Sequence, residues 1–151
     1  MKLTSRGELA LKAMLELAKA EERREPGLPG TEIARRCRAS TKFLEQILTQ
    51  LRVGGLIVSS RGRIGGYRLA RNADEILVGH IHRLIDGPLA PAPCASVTQH
   101  RTCDWCVSED TCELKAVWTR VRDAIADVMD ATSLSDLLRL NTAAAADKYT
   151  I

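Results

Sequence analysis

A mainly α-helical fold carrying one small β-hairpin, a cysteine-bearing loop and a long helix beyond it is predicted by three observations. Between residues 31 and 53 a short helix, a three-residue turn and a helix of about four turns follow one another, the spacing of a helix-turn-helix. Two β-like segments, 56–59 and 67–70, then flank a glycine-rich basic tip, which reads as a hairpin wing. Finally, four cysteines fall within nineteen residues of irregular sequence, directly before a helical stripe of about five turns. The organisation that follows is a winged helix-turn-helix over 1–88, a cysteine-rich loop over 89–112, a long helix and a short final helix over 113–140, and a tail over 141–151.

Each element has a local cause. Ser5 and Glu8 have capping-box spacing, and Leu9, Leu11, Met14, Leu15, Leu17 and Ala18 recur at helical intervals, predicting a helix over 5–20. The charged, Pro/Gly-containing stretch 21–30 ends it. Thr31 and Glu32 open a second helix carrying Ile33, Ala34 and Cys37, the last reading as a small buried hydrophobe. After the turn Arg38-Ala39-Ser40, Ser40 or Thr41 caps a third helix with Phe43, Leu44, Ile47, Leu48 and Leu51 on its apolar side, and Gly54-Gly55 stops it. Residues 74–86 form a short helix ending at Gly87-Pro88, with His80 and His82 as structural residues. No periodicity survives over 89–111, and a loop of that length in a compact domain is unusual unless a ligand organises it. Leu114, Val117, Trp118, Val121, Ile125, Val128 and Met129 restore the helical stripe. Ser133 and Asp136 open the last short helix, and the tail from Asn141 carries no clear signal.

At 45% hydrophobic and 27% charged, the composition is that of an ordinary soluble globular protein. A net charge of +3 permits nucleic-acid binding through a local patch without arguing for it. No apolar run is long enough to span a bilayer, and the N-terminus lacks the apolar segment of a signal peptide. A reducing cytoplasm is therefore expected, where thiols persist as thiols or as ligands. Neither a phosphate loop nor a nucleophile–base pair is present, so the chain does not read as an enzyme.

The third helix offers Thr41, Lys42, Glu45 and Gln46, with Thr49 and Gln50, on its polar side. Lys and Gln can hydrogen-bond base edges in a major groove. Glu45 suits cytosine N4 as an acceptor, or a salt bridge that orients an arginine. Arg61 and Arg63 on the wing can enter a minor groove or pair with phosphates. Winged helices also serve as protein-interaction modules with a merely solvated polar face. Basic residues at the turn and wing (Arg35, Arg36, Arg38, Lys42, Arg61, Arg63 and Arg68) favour double-stranded DNA.

Cys94, Cys103, Cys106 and Cys112 admit several chemistries. Soft thiolates select zinc, Cu(I) or iron–sulfur clusters. Structural zinc sites more often show two short knuckles, whereas this loop has one C-x2-C with intervals of eight and five residues on either side. Without metal, Cys103 and Cys106 can form a reversible disulfide, with Arg101 favouring the thiolate. His100 can be a ligand or a solvated loop residue, the second being the preferred reading, and Trp105 reads as a shield for the site or an anchor for the loop.

Lys2-Leu3-Thr4, Phe43-Leu44-Glu45-Gln46-Ile47-Leu48 and the wing run Ser60-Arg61-Gly62-Arg63-Ile64-Gly65-Gly66-Tyr67-Arg68-Leu69 resemble the Rrf2 family of bacterial transcriptional regulators, which includes an iron–sulfur cluster regulator and a nitric-oxide-sensitive repressor. The resemblance covers residues 1 to about 140. It implies a homodimer joined through the helix after the loop, a palindromic operator, and sensing of iron–sulfur, redox or nitrosative status. It further implies a [2Fe–2S] or [4Fe–4S] centre ligated by loop cysteines. Cys106 and Cys112 match the C-x5-C of cluster-binding members, whereas Cys94 and Cys103 depart from the usual first position. Lys115 stands where the iron–sulfur cluster regulator has a histidine ligand, and a fourth thiolate can replace it. Glu8 lies near the place of an acidic ligand that some relatives supply from the partner subunit; its capping box with Ser5 is the plainer reading. The resemblance ranks a cluster first, a thiol switch second and zinc third. A carrier of iron–sulfur or zinc is the alternative of a different class, and would not bind a palindromic duplex.

Overall fold

The broadest buried stripe belongs to α1 (Ser5–Glu22), whose Leu9, Ala10, Ala13, Met14, Leu17 and Ala18 all turn into the core at helical spacing. In this computed structural model, residues 1, 3–60, 65–104 and 106–147 are described, 141–147 by backbone alone. Lys2, the wing tip with Arg61 and Arg63, and Trp105 lie outside them.

The helix is capped by Thr4, whose Oγ1 accepts the Gly7 N–H at 3.1 Å. Thr4 is itself fixed by Asp86, which accepts its N–H at 3.0 Å and its hydroxyl at 2.5 Å. The expected Ser5–Glu8 box does not form, and Glu8 accepts from Lys12 at 2.6 Å instead. The local cap is therefore Thr4, one residue before Ser5, and it is held by a tertiary anchor 82 residues away; only glycine fits at position 7, where a Cβ would sit 2.0 Å from an Asp86 oxygen.

α2 (Gly30–Cys37) starts one residue before Thr31, behind Pro29 as its N-cap. Arg38 takes the left-handed conformation (φ 52°) that ends it. Ser40 then accepts the Phe43 N–H at 3.3 Å and opens α3 (Thr41–Val53), whose Leu44, Ile47, Leu48 and Leu51 are fully buried. α1, α2 and α3 share one apolar cluster with Leu56, Ile57, Ile76, Ile81 and Leu134.

β1 (Ile57–Ser60) and β2 (Gly66–Leu69) pair antiparallel, Ile57 opposite Leu69. β1 lies one residue later and β2 one residue earlier than the sequence expectation, and Leu28 supplies a further bridge to β2. Its N–H donates to Tyr67 O at 3.0 Å, and Tyr67 N–H donates back at 2.8 Å. A Cβ on residue 66 would lie 2.7 Å from the Leu28 backbone, so the close approach requires Gly66.

α4 (Val78–Ile85) is shorter than 74–86 because Ile76 and Leu77 are extended beside the start of the final helix. Leu77 bridges Ser133, Val78 N–H donates to Thr132 O at 2.9 Å, and Leu134 N–H donates to Ile76 O at 3.0 Å. A 3₁₀ turn, Pro93–Ala95, is the sole regular piece of the loop among the described residues. α5 (Glu113–Ala131) follows, and α6 (Leu134–Asp147) packs back on α1. α6 extends seven residues past the expected boundary at 140. Alanine is the best helix former but adds no apolar periodicity, so pattern reading stops where the helix does not.

Candidate thiol site and nucleic-acid interface

α3 presents Lys42, Glu45, Gln46, Thr49 and Gln50 to solvent, with Thr41 half-buried at its start. The four buried leucine and isoleucine side chains occupy the opposite side, which fixes this orientation. Thr49 Oγ1 donates to Glu45 O at 2.8 Å. Glu45 forms no ion pair among the described residues. Arg6 donates to Gln50 Oε1 at 2.6 Å, so α1 adds a cation to this face that no local motif announces.

Two of the expected basic residues are neutralised. Arg35 holds Glu32 through two bonds of 2.8 and 2.7 Å. Arg36 donates to Glu32 at 2.7 Å and to Glu25 at 3.1 Å, with Glu16 at 3.9 Å. The two guanidiniums pull the Glu32 carboxyl down to about 2. Arg38 and Lys42 enter no ion pair among the described residues, and they carry the free positive charge at the turn.

Cys112 is the N-cap of α5, and its sulfur lies 3.5 Å from that of Cys106. The backbone N–H of Lys115, then a bond from Cys106 and the Leu114 N–H, hold the Cys112 thiol below its ordinary range. The complementary effect pushes Cys106 up to about 11, chiefly because it donates to Cys112, with burial and the neighbouring charges of Cys112 and Cys103 adding to it. Cys103 is thus within electrostatic reach of Cys106, and a turn joins them, Cys106 N–H donating to Cys103 O at 3.1 Å.

Cys94 is buried in the 3₁₀ turn. That turn is held to α5 by Arg122, which donates to Ala95 O at 2.8 Å. Glu8 is exposed on α1 with Lys12. Among the described residues no three His, Cys, Asp or Glu side chains are gathered as a metal-ion site. Lys115 and His100 both reach Glu109 Oε2 at 3.0 Å, so His100 is partnered rather than merely solvated. This carboxylate, missed in the sequence, stabilises the loop against the first turn of α5. Glu109 is held below its usual range, first by Lys115 and then by His100.

α5 buries no residue: Leu114, Val117, Trp118, Val121 and Val128 are 36–66% exposed. It is tied to α4 by a bidentate pair, Arg83 to Asp130, with both bonds at 2.6 Å. Among the described residues no helix is long and apolar enough to cross a membrane.

A family model described as an iron-dependent transcriptional regulator matches residues 3–140. The chain belongs to the Rrf2 family. An Rrf2-like helix-turn-helix regulator of Rhodobacter capsulatus is 38% identical over 95% of this chain and 96% of its own. The solved structure of CymR, described as the global cysteine regulator of B. subtilis, is 36% identical with a TM-score of 0.74, covering 91% of this chain and 95% of its own. That of T. potens IscR is 32% identical with a TM-score of 0.69, covering 92% and 87%. The fold is therefore the winged helix of Rrf2 transcriptional regulators, a family whose business is with DNA.

Proposed function

We propose that this Rrf2 regulator acts as a homodimer on a two-fold symmetric operator and reads the state of a cluster held by its loop thiols. Thr41, Lys42, Glu45 and Gln46 face base edges, and Arg61 and Arg63 on the wing take phosphates or a minor groove. The exposed apolar side of α5 is the dimer seam, because an amphipathic helix with no buried residue has its stripe still to cover. It places the two α3 helices on half-sites about one helical turn apart.

The donor set fits a thiolate-ligated iron–sulfur cluster better than a hard cation. Two sulfurs are 3.5 Å apart, Cys103 lies within electrostatic reach of Cys106, and the amides of α5 favour a thiolate at Cys112. Cys103, Cys106 and Cys112 are the assigned ligands, with Cys94 or the partner subunit's Glu8 as the fourth. The bound cluster supplies one-electron chemistry and sensitivity to oxygen or nitric oxide. Arg122 and the Arg83–Asp130 pair carry a loop displacement into α5 and α4, and hence into the spacing of the α3 helices.

The observation that carries this reading is the 3.5 Å approach of the Cys106 sulfur to that of Cys112, at the N-cap of a helix whose apolar face is unburied. Its test is protein purified without oxygen, with iron, sulfide and zinc quantified beside an absorption spectrum, then bound to a palindromic duplex before and after cluster removal. Matching iron and sulfide with cluster-dependent binding is expected. A colourless protein after reconstitution overturns the cluster, and a cluster protein that ignores duplex DNA is a carrier.

A further inference from the structure

We infer that Cys106 and Cys112 are a redox-modification pair that closes as an intramolecular disulfide when a peroxide reaches the cluster-free loop. The inference deepens the reading above, since the same two sulfurs serve there as cluster donors, but the disulfide needs no metal. The sulfurs are 3.5 Å apart and in hydrogen-bond contact. A disulfide requires about 2.05 Å, so closure asks for a movement of about 1.5 Å. Residues 107–111 between them lie in bends and turns without helix or strand, so no ladder of hydrogen bonds opposes it. Both thiols are half-buried, open to a small oxidant. Of the remaining cysteines, Cys94 is buried in the 3₁₀ turn and Cys37 packs against the core from α2, whereas Cys103, half-buried across a turn from Cys106, is the rival partner that the test must separate.

The step balances. One sulfur attacks an oxygen of hydrogen peroxide, the O–O bond breaks, and a sulfenic acid forms as the first water leaves. The second sulfur attacks the first, the S–O bond breaks, the S–S bond forms, and the hydroxyl departs as the second water with the second thiol proton. Two thiols are oxidised by two electrons and one peroxide is reduced to two waters. The product links the loop to the N-cap of α5 and removes two donors at once. A given chain therefore holds either a complete thiolate donor set or the disulfide.

The test uses the reduced, metal-free full chain treated anaerobically with one equivalent of hydrogen peroxide. Thiols titrated in denaturant are expected to fall from the five present in the chain to three. After alkylation, cleavage before Asp104 and Asp110 separates Cys103, Cys106 and Cys112 onto three peptides, of which the Cys106 and Cys112 peptides are expected to be linked. Cys103→Ser should keep that link, and Cys112→Ser should abolish it. A Cys103–Cys106 link, or sulfenic acid with no link, overturns the inference. Iron loading of the same reduced batch separates the two readings. A link without a loadable cluster leaves the inference standing and removes the cluster, and a loadable cluster without a link does the reverse.

Discussion

α3 and α5 are both amphipathic helices, yet the first buries Leu44, Ile47, Leu48 and Leu51 completely and the second buries nothing. The same binary pattern thus has two destinations. In α3 the apolar stripe is consumed by α1 and α2, and the polar side is left to read a ligand. In α5 the polar side is used within the chain, through Arg122 to the loop and Asp130 to α4, and the apolar side is left outward. One helix is covered within the described chain, and the other leaves its apolar stripe exposed there.

The sharpest way to break this contrast is truncation on each helix. Leu48→Ala empties a fully buried site and should cost about 2–5 kcal/mol, read as a drop in denaturation midpoint. Val121→Asp should leave the circular-dichroism spectrum of the chain nearly unchanged, since no residue of α5 is buried within it. It should weaken self-association at least tenfold, about 1.4 kcal/mol, in sedimentation equilibrium. A variant that associates like wild type would remove α5 as the seam.

The joint between the two regions is sensitive to acid. His82 is buried with neither ring nitrogen hydrogen-bonded among the described residues. Burial pushes its pKa below the ordinary value, against the pull of Asp86 at 3.8 Å. The unfolded chain takes up this proton near pH 6.5 and the folded chain only below that, so stability is full above about pH 7 and falls as pH drops through 6.5. The slope from this one proton is at most about 1.4 kcal/mol per pH unit. His82→Gln should flatten it between pH 7 and the folded pKa in urea titrations. The smallest effect compares two cations: Lys42→Ala should reduce the salt slope of operator binding by about one, whereas Arg35→Ala, already paired with Glu32, should barely change it.

Legibility followed the range of the cause. α3 was readable because its cap, its stripe and its glycine stop all lie within sixteen residues of one another. The cap of α1 fell one residue earlier than expected, on Thr4, because the Asp86 anchor that fixes Thr4 lies 82 residues away. Neutralisation of Arg35 and Arg36 was available in principle, because Glu32 precedes them by three and four residues on a helix. The pairing of Cys106 with Cys112 came through the family's C-x5-C spacing and not from local thiol geometry. C-x2-C spacing points to Cys103 with Cys106, whereas the sulfur 3.5 Å from Cys106 belongs to Cys112, which the cap of α5 places there. That geometry depends on where a helix begins, and boundaries are the least legible part of a sequence.

The bridge of Leu77 to Ser133 gives the molecule a neck: the chain leaves its main body there and re-enters beside its own exit, after which α6 returns to α1. Residues 97–102 are exposed throughout, a natural target for limited proteolysis. A single cut there separates α1–α4 from α5–α6 in covalent terms only, because Leu134 stays buried in the common core. Nicked protein should therefore run as one body in a native gel and as two fragments in detergent. The same closure makes this segment the place to insert a reporter without unthreading the fold.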